Sequence, residues 1–371
     1  MDDKLNVALV HDWLISLGGA ERVLLAIQEL FPRAQVFTLL YDRHGPCKLI
    51  EEKGSTIHTS FLQKIPGIKK GYRYFLPLMP LAIEQFDLSA FDLVISSSFA
   101  VAKGVITGPD QIHISYIHSP IRYAWDLQHQ YIKTAGYKGL KSALIRLILH
   151  YMRIWDFRTS CSPDYIIANS QFIARRIKKV YGREAKVIYP PVDVSRFLEQ
   201  SPRPKENFYL TVSRLVPYKR IDLIVSAFSK MPDKKLVVAG SGPEFQKIKK
   251  MAGSNVQLLG HVTNNRVADL MAKAKAFVFA AEEDFGIAPV EAQAAGTPVI
   301  AYAKGGALET VIDGETGIFF NEQTPESLIQ ALQRFEKCNT ISVKSMKENA
   351  ERFSTKRFQN ELDQFVRQAI S

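Results

Sequence analysis

The chain has 371 residues, of which 46% are hydrophobic and 23% charged, an ordinary globular composition that allows two domains with sizeable cores. Its formal net charge of +11 favours an anionic partner, such as a phosphorylated ligand, an anionic membrane or nucleic acid. Three scattered cysteines indicate neither a disulfide framework nor a metal site, and no long apolar run or signal-peptide pattern at Met1-Asp2-Asp3-Lys4 is present, so we expect a cytoplasmic chain without a membrane span.

Strand-like and helix-like segments alternate along the chain, which predicts parallel sheets with crossover helices. Between the two halves lie Tyr189-Pro190-Pro191 and Ser201-Pro202-Arg203-Pro204, whose prolines stiffen the connection. We therefore predict an α/β protein with two Rossmann-like domains, 1–190 and 191–354, whose sheets present their carboxyl ends to one central cleft. The predicted strands lie near 6–11, 35–40, 93–97, 113–118, 165–169, 186–189, 208–213, 235–240, 256–259, 276–280, 298–302 and 317–320.

The turn after the first predicted strand contains Gly18 and Gly19 and leads into a helix. Backbone N–H groups and the helix dipole favour an anion at such a position. The segment does not match the G-x-G-x-x-G fingerprint, which disfavours an NAD site. A plain tight turn is the alternative explanation of the two glycines.

Two segments of the first half together account for +9 of the net charge of +11. Residues 61–80 carry four basic residues and no acid, and residues 131–160 carry six basic residues and one acid, interleaved with apolar side chains. Basic amphipathic segments bind anionic membranes, although a surface helix with its apolar stripe in the core is the alternative. Nucleic acid is disfavoured because no recognised binding module is present.

His118 lies at the end of the strand predicted over 113–118, and Pro120 prevents that strand from continuing. A histidine at a strand end can contact a sugar hydroxyl or a developing charge, with a structural role as the alternative.

In the second half, Arg214 and Lys219 follow a predicted strand and precede a helix predicted over 221–229. A guanidinium and an ammonium at this edge suit a diphosphate, whereas two solvated cations are the alternative. The turn containing Gly260 and Val262 ends a further strand, where a free backbone N–H or C=O can read a base edge. Gly305-Gly306 precedes another helix and is a further candidate anion site.

The most informative pattern is a pair of acids, Glu283 and Glu291, eight positions apart. Glu283 is expected at the carboxyl end of a strand, and Glu291 early in the helix that Gly296 ends. Ligands bind at this edge of open α/β sheets, and carboxylates accept hydrogen bonds from adjacent hydroxyls of polyhydroxyl ligands. Two solvated acids are the alternative. No zinc pattern, catalytic triad or phosphate loop accompanies the pair, which disfavours a P-loop kinase or ATPase.

Together these motifs resemble the retaining glycosyltransferases of family four, which have the two-domain GT-B architecture, and the resemblance covers nearly the whole chain. The segments HDWLISLGGAERVL and HSPIRYAWD are more narrowly similar to bacterial O-antigen mannosyltransferases. The family usually has glycine after its lysine, where this chain has Arg220. It often has glycine or proline after its first glutamate, where this chain has Asp284.

The resemblance implies roles for individual residues. Arg214 and Lys219 hold the diphosphate, and His118 contacts the sugar near the reacting carbon. The remaining implied contacts are Glu283 and the backbone of 284–287, which includes Phe285, Gly286 and Ile287, with the donor sugar, Glu291 with the ribose, and Gly18 and Gly19 with phosphate or acceptor.

The resemblance also implies an activity: transfer of a sugar with retention to a lipid-linked saccharide, on the inner face of the cytoplasmic membrane, in O-antigen and lipopolysaccharide assembly. Mannose from GDP-mannose is the narrower expectation. No metal or other cofactor is expected, because fixed cations and helix N-termini stabilise a departing diphosphate. The last helix, 355–371, is expected to return to the first domain. A transferase using a UDP-sugar, a nucleotide-sugar epimerase and a non-catalytic sugar-nucleotide sensor are the alternatives.

Overall fold

The computed structural model describes residues 5–198, 203–338 and 340–371. Met1–Lys4 and the linker residues Ser201 and Pro202 lie outside the described residues. The chain divides into two compact units: unit 1 is Met1–Pro191 with Phe358–Ser371, and unit 2 is Val192–Arg357.

Unit 1 contains a seven-stranded sheet in which every pair of neighbouring strands is parallel. Its strands are β1 (Val7–His11), β2 (Gln35–Thr38), β3 (Ile57–Thr59), β4 (Leu93–Ser98), β5 (Ile112–Ile117), β6 (Tyr165–Ala168) and β7 (Lys186–Val187). Their order, β3-β2-β1-β4-β5-β6-β7, reverses direction between β1 and β4. Open α/β sheets bind ligands at the carboxyl edge of this switch point.

Helices cover both faces of the unit 1 sheet. Ala8 and Val10 of β1 belong to one hydrophobic core and Val7 and Leu9 to another, because successive side chains of a strand point to opposite faces. The helices of unit 1 are α1 (Gly19–Leu30), α2 (Lys48–Glu52), α3 (Ile68–Gly71), α4 (Met79–Glu84), α5 (Gln128–Thr134), α6 (Gly139–Thr159) and α7 (Gln171–Tyr181), with short 3-10 helices at Phe61–Lys64, Tyr72–Leu78 and Ala102–Gly104.

Unit 2 repeats the same plan with six parallel strands. They are β8 (Tyr209–Val212), β9 (Leu236–Ala239), β10 (Val256–Gly260), β11 (Ala276–Phe279), β12 (Val299–Tyr302) and β13 (Gly317–Phe320), in the order β10-β9-β8-β11-β12-β13. The switch point of this sheet lies between β8 and β11, so the loops that follow these two strands are neighbours.

The helices of unit 2 are α8 (Ser195–Leu198), α9 (Ile221–Ser229), α10 (Phe245–Met251), α11 (Asn264–Lys273), α12 (Ile287–Ala294), α13 (Ala307–Thr310), α14 (Pro325–Lys337) and α15 (Val343–Glu351), with a 3-10 helix at Pro217–Lys219. The last helix, α16 (Thr355–Ile370), begins in unit 2. It buries Phe358, Leu362 and Val366, spaced four residues apart, in the unit 1 core beneath α1.

The prediction of an α/β protein with two Rossmann-like halves is confirmed. All twelve predicted strands are present, and the helix predicted over 221–229 is α9. Strand β3 was not predicted, because its three residues, IHT, are too few to form a recognisable apolar run. That the two sheets face one cleft stays a prediction. Among the helices within the described ranges, none is both long enough and apolar enough to cross a membrane.

Candidate functional site

The carboxyl edge of the unit 2 sheet brings together two residues that were predicted to contact different parts of a ligand. Lys219 follows β8, Glu283 follows β11, and the Lys219 Nζ forms an ion pair with Glu283 Oε1. Their side chains are 19% and 18% exposed, so the pair is largely removed from water yet open on one side. When a ligand binds, the ammonium can exchange the carboxylate for a phosphate, and the carboxylate can then accept a hydrogen bond from a sugar hydroxyl.

Arg220, which directly precedes α9, has a left-handed backbone conformation. Its φ of 54° lies in the left-handed region, which disfavours side chains with a Cβ atom. Its guanidinium lies 3.3 Å from Asp222 Oδ1 and 3.3 Å from Gln323 Oε1. The position where the family usually has glycine is therefore one whose backbone favours glycine.

Arg214 lies just beyond the end of β8 with an exposed side chain, and its guanidinium has no partner among the described residues. Its backbone is held by its neighbours, because Ser213 N donates to Ala239 O at 3.0 Å and Leu215 N donates to Ser241 O at 2.9 Å. A fixed backbone with a solvent-facing guanidinium suits an anionic ligand.

The loop around Glu283 packs directly against the turn at Gly306. Gly306 N donates to Glu283 O at 2.8 Å, and a Cβ atom added to Gly306 would lie 2.3 Å from Phe285 Cα. Close backbone packing is therefore sufficient to explain this glycine, which was predicted to be part of an anion site. The Phe285 side chain is buried against the Phe353 ring, so it is not available to a ligand.

Helix α12 begins directly after this loop. Gly286, with a φ of 92°, is its N-cap, Ile287 is its first residue, and Glu291 lies one turn further along with a half-buried side chain. The first N–H groups of a helix lack partners within the helix and favour negative charge. As predicted, Glu283 follows a strand and Glu291 lies in the next helix, which ends before Gly296. Glu291 lies in the middle of this eight-residue helix rather than early in it, because the helix begins only at Ile287.

The turn that was predicted to contact the base already forms a hydrogen bond within the protein. Gly260 O accepts a hydrogen bond of 2.7 Å from Gly240 N, which binds the end of β10 to the end of β9. One lone pair of this carbonyl is therefore used by the adjacent strand, and the contact of the turn with a base stays a prediction. Val262 is half-buried at the same turn.

In unit 1, the two glycines of the first turn form the start of α1. Gly18 is the N-cap and Gly19 the first helical residue, and Gly18 N donates to Glu21 Oε2 at 2.7 Å. Glu21 is 5% exposed, so this helix start already carries a buried carboxylate of its own. The predicted contact of Gly18 and Gly19 with phosphate or acceptor stays a prediction.

His118 follows β5 and belongs to a buried chain of polar groups. Its Nε2 lies 2.9 Å from Ser97 Oγ, which in turn lies 3.2 Å from His11 Nδ1. His11 Nε2 lies 4.0 Å from Glu21 Oε1. Burial lowers the pKa of His118 to about 3, with a smaller contribution from His11, so the ring is neutral near pH 7.

Asp12 fixes the loop that follows β4. Its buried carboxylate accepts four backbone hydrogen bonds of 2.5–3.0 Å, from Phe99, Ala100, Val101 and Ala102. Burial raises the pKa of Asp12, against the opposing effects of His11 and these N–H groups. Asp12 therefore holds the Phe99 ring near both His11 and His118, at centroid distances of 5.7 and 6.2 Å.

No role was predicted for His11, Ser97 or Glu21. All three are buried polar residues at the carboxyl ends of β1 and β4 or at the start of α1. Polar residues at the ends of neighbouring strands were the signal that could have identified them, once the order β1-β4-β5 was known.

Helix α6 has two apolar faces. Leu149, Met152 and Trp155 are buried in the core of unit 1. A second set, which we call the α6 stripe, is 46–87% exposed: Leu140, Leu144, Leu147, Tyr151 and Ile154. Spacings of four and three residues place its members on one side of the helix.

The exposed charges of α6 are all basic. They include Lys141, Arg146 and Arg158, whereas its one acid, Asp156, is buried in an ion pair with Lys103. One apolar face of this segment lies in the core, as the alternative interpretation predicted, and a second lies exposed beside positive charge. Binding of the segment to a membrane stays a prediction.

Across the described ranges, no group of three or more histidine, cysteine, aspartate or glutamate side chains is arranged to hold a metal ion.

Two family models match the chain. The model described as Glycosyltransferase Family 4 matches residues 17–196, and that described as Glycosyl transferases group 1 matches residues 194–353. Together they cover both units. The chain belongs to glycosyltransferase family 4, and its fold is GT-B.

Individual relatives agree with this assignment. The chain is 32% identical over 198 residues to a GDP-mannose-dependent monoacylated alpha-(1-6)-phosphatidylinositol monomannoside mannosyltransferase of Corynebacterium glutamicum, covering 46% of this chain and 52% of that protein. It is 25% identical over 372 residues to alpha-1,3/1,6-mannosyltransferase alg2 of Schizosaccharomyces pombe, covering 84% of this chain and 70% of that protein. The chain spans about half the length of several curated relatives that it matches.

Among solved structures, HepE of Anabaena in complex with UDP and glucose superposes with a TM-score of 0.69 at 20% identity, covering 98% of this chain and 99% of that one. This similarity establishes the fold.

Proposed function

We propose that this family 4 protein is a retaining hexosyltransferase that transfers mannose from GDP-mannose to a lipid-linked saccharide. The observation that carries the proposal is the Lys219–Glu283 ion pair at the switch point of unit 2, with the exposed guanidinium of Arg214 just beyond the end of β8. Two cations suit a diphosphate, and the carboxylate suits the hydroxyls of a sugar.

In the proposed reaction the bond between the sugar C1 and the diphosphate oxygen breaks. A new bond forms between C1 and the acceptor hydroxyl oxygen on the same face, and the acceptor proton passes to the departing phosphate. Arg214 and Lys219 stabilise the negative charge that develops on the diphosphate. Glu283 orients the sugar, Glu291 binds the ribose, and His118 contacts the sugar near its reacting carbon.

The choice of GDP-mannose is supported by relatives whose names specify this donor, including the proteins of Corynebacterium glutamicum and Mycolicibacterium smegmatis. HepE, solved with UDP and UDP-glucose, represents the competing possibility within the same fold. Base choice requires hydrogen-bonding groups matched to one base edge, because a mismatched base leaves buried polar groups unpaired.

Calorimetric titration of the full chain with GDP and UDP, followed by turnover with GDP-mannose and UDP-sugars, tests the donor. We expect tighter GDP binding and turnover on GDP-mannose. Tighter UDP binding with turnover confined to UDP-sugars would contradict mannose and guanine while leaving a sugar transferase.

Radiolabelled donor incubated with a lipid extract separates sugar transfer from epimerisation and from binding without turnover. A transferase moves the label into the lipid phase, whereas an epimerase leaves an altered sugar nucleotide in the aqueous phase. A sensor binds the donor without turnover. Lys219→Ala is the matched negative control, because it removes a charge from the proposed diphosphate site.

We further propose that the acceptor is met at an anionic membrane surface, against which the α6 stripe lies. Charge complementarity supports this occupant over a second copy of the chain, because the basic residues flanking the stripe would repel those of another copy. Leucine, isoleucine and tyrosine side chains that are about half or more exposed bury their apolar surface by entering the interface between lipid headgroups and acyl chains.

Vesicle co-sedimentation tests this surface. We expect binding to vesicles containing anionic lipid, weaker binding in high salt, and loss of binding in Leu144→Gln/Leu147→Gln. Leu308→Gln is the matched control, since Leu308 is 52% exposed but lies in unit 2. Neutralising Lys64, Lys69, Lys70 and Arg73 together should also weaken binding. Equal binding to neutral and to anionic vesicles would contradict the membrane proposal. So would a wild-type dimer that Leu144→Gln/Leu147→Gln converts to monomers.

A further inference from the structure

In the chain of buried groups at the carboxyl edge of the unit 1 sheet, one serine hydroxyl lies within hydrogen-bond distance of two histidines. Ser97 Oγ lies between His11 Nδ1 at 3.2 Å and His118 Nε2 at 2.9 Å. Ser97 is directly opposite His11 in the β1–β4 register, and His118 N donates to Ser98 O at 2.8 Å. His11 and Ser97 therefore lie on adjacent parallel strands and His118 directly follows the next one, so the three backbones are fixed relative to one another.

A serine hydroxyl carries a single proton, so it can donate to only one of the two rings. The other ring must then donate its own N–H to the Ser97 oxygen. Because a neutral imidazole has one N–H and one bare nitrogen, the tautomer of His118 is tied to that of His11.

The position of Glu21 indicates whether Ser97 donates to His11 or to His118. Its Oε1 lies 4.0 Å from His11 Nε2, a buried nitrogen without a hydrogen-bond partner among the residues that the structure describes. A bare nitrogen would direct its lone pair towards a carboxylate, whereas an N–H there directs positive charge towards it. His11 therefore carries its proton on Nε2, Ser97 donates to His11 Nδ1, and His118 Nε2–H donates to Ser97.

We infer that Glu21, His11 and Ser97 form a relay that holds His118 in the Nε2–H tautomer, so that its Nδ1 is a bare hydrogen-bond acceptor. His118 then accepts a hydrogen bond from a substrate hydroxyl and cannot donate one to a developing negative charge. Glu21, His11 and Ser97 are positioning residues, which act on substrate only through His118. The catalytic consequence rests on the proposed transferase function, whereas the tautomer itself does not.

Glu21→Gln tests the direction of the relay without removing the side chain. Glu21 Oε2 accepts from Gly18 N at 2.7 Å, so the amide oxygen of glutamine must face Gly18 and its NH₂ must face His11. That NH₂ donates to a bare His11 Nε2, which moves the His11 proton to Nδ1 and shifts the His118 proton to Nδ1. Glu29→Gln is the matched control on the same helix, because Glu29 is exposed and pairs with Lys53.

The tautomers are measured by ¹H–¹⁵N correlation spectra of the full chain labelled at histidine nitrogens, with the His118 signals assigned from their disappearance in His118→Asn. We expect Nε2–H on His118 in the wild type and in Glu29→Gln, and Nδ1–H in Glu21→Gln. Ser97→Ala should uncouple the two rings, and Ser97→Thr, which retains the hydroxyl, should restore the wild-type pattern. Nδ1–H in the wild type, or an unchanged His118 in Glu21→Gln, would overturn the inference.

Kinetics separates this inference from the function on which it rests. Glu21→Gln should lower kcat by about two- to tenfold, the effect of one lost neutral hydrogen bond, with the donor KM almost unchanged. If the tautomers behave as inferred but His118→Asn retains full kcat, the assigned role of His118 fails while the relay stands. A lowered kcat in Glu21→Gln without a tautomer change overturns the relay and leaves the transferase intact.

Discussion

Replacing Arg220 by glycine and by alanine separates backbone strain from side-chain contacts at the start of α9. Arg220 is the one non-glycine residue with a positive φ among the residues that the structure describes, at 54°. The left-handed conformation costs a residue with a Cβ atom about 1–2 kcal/mol. Glycine avoids this cost but loses about 0.4–1 kcal/mol through the greater freedom of the unfolded chain.

Both substitutions remove the same contacts, to Asp222 and Gln323 at 3.3 Å each. These contacts are partly exposed and contribute at most about 1 kcal/mol, and the loss is common to both variants. Arg220→Gly should therefore be more stable than Arg220→Ala by about 1 kcal/mol, the difference between the strain and the chain-entropy contributions.

Differential scanning calorimetry measures the difference as a higher Tm for the glycine variant, by about 2–4 °C for a domain of this size. Lys249 in α10 provides the control, because it is exposed on a helix. There alanine should be more stable than glycine by about 1 kcal/mol, so the sign reverses. An alanine variant at position 220 that is as stable as the glycine variant would refute the strain argument.

Three further predictions concern the candidate site and the buried histidines. Arg214→Ala and Lys219→Ala should each weaken binding of a nucleoside diphosphate by about 1.5–3 kcal/mol in calorimetric titration, since each removes a charged hydrogen bond, and unchanged affinity in both would remove them from the site. Turnover should survive excess EDTA, because protein-borne cations hold the diphosphate; complete loss restored by magnesium would contradict this. Burial lowers the pKa of His113 to about 4 and of His118 to about 3, whereas the unfolded chain titrates near 6.5, so the unfolding free energy should fall by about 1.4 kcal/mol per histidine for each unit as pH decreases from 6.5 towards 4. Urea unfolding at pH 7 and pH 5 measures that loss, and equal stability would contradict it.

The sequence was sufficient to predict every strand of the described residues except β3, because buried parallel strands are short apolar runs bounded by polar turns. β11, for example, is AFVF and is buried at every position. The order of strands within each sheet could not be predicted from the sequence. Lys219 and Glu283 meet because β8 pairs with β11, and local sequence patterns do not indicate which strands pair.

Ser97 illustrates the same limit in unit 1. It lies in the run Ser96-Ser97-Ser98 of β4, where the sequence does not indicate which hydroxyl faces which neighbour. The register decides, since Ser96 bonds to His113 whereas Ser97 lies between His11 and His118. Helix α6 has apolar residues on both sides, so periodicity alone could not tell a core stripe from an exposed one.

The pairing of Lys219 with Glu283 has a consequence for ligand binding that neither residue has alone. If Lys219 exchanges the carboxylate for a phosphate when the donor binds, the ion pair competes with the ligand for Lys219. Glu283→Gln keeps the shape of the side chain but replaces the carboxylate by a neutral amide, so the ion pair with Lys219 becomes a weaker hydrogen bond and the competition falls by about 1 kcal/mol.

We therefore expect Glu283→Gln to bind free GDP about three- to tenfold more tightly than the wild type, while turning over GDP-mannose more slowly because a sugar contact is lost. Calorimetric titration and steady-state kinetics measure the two effects separately. Glu291→Gln is the matched control: Glu291 is assigned to the ribose, so its substitution should weaken GDP binding. A Glu283→Gln variant that binds GDP more weakly than the wild type would show that the ion pair supports the nucleotide site rather than competing with it, and Lys219 would then be a structural residue of the loop before α9.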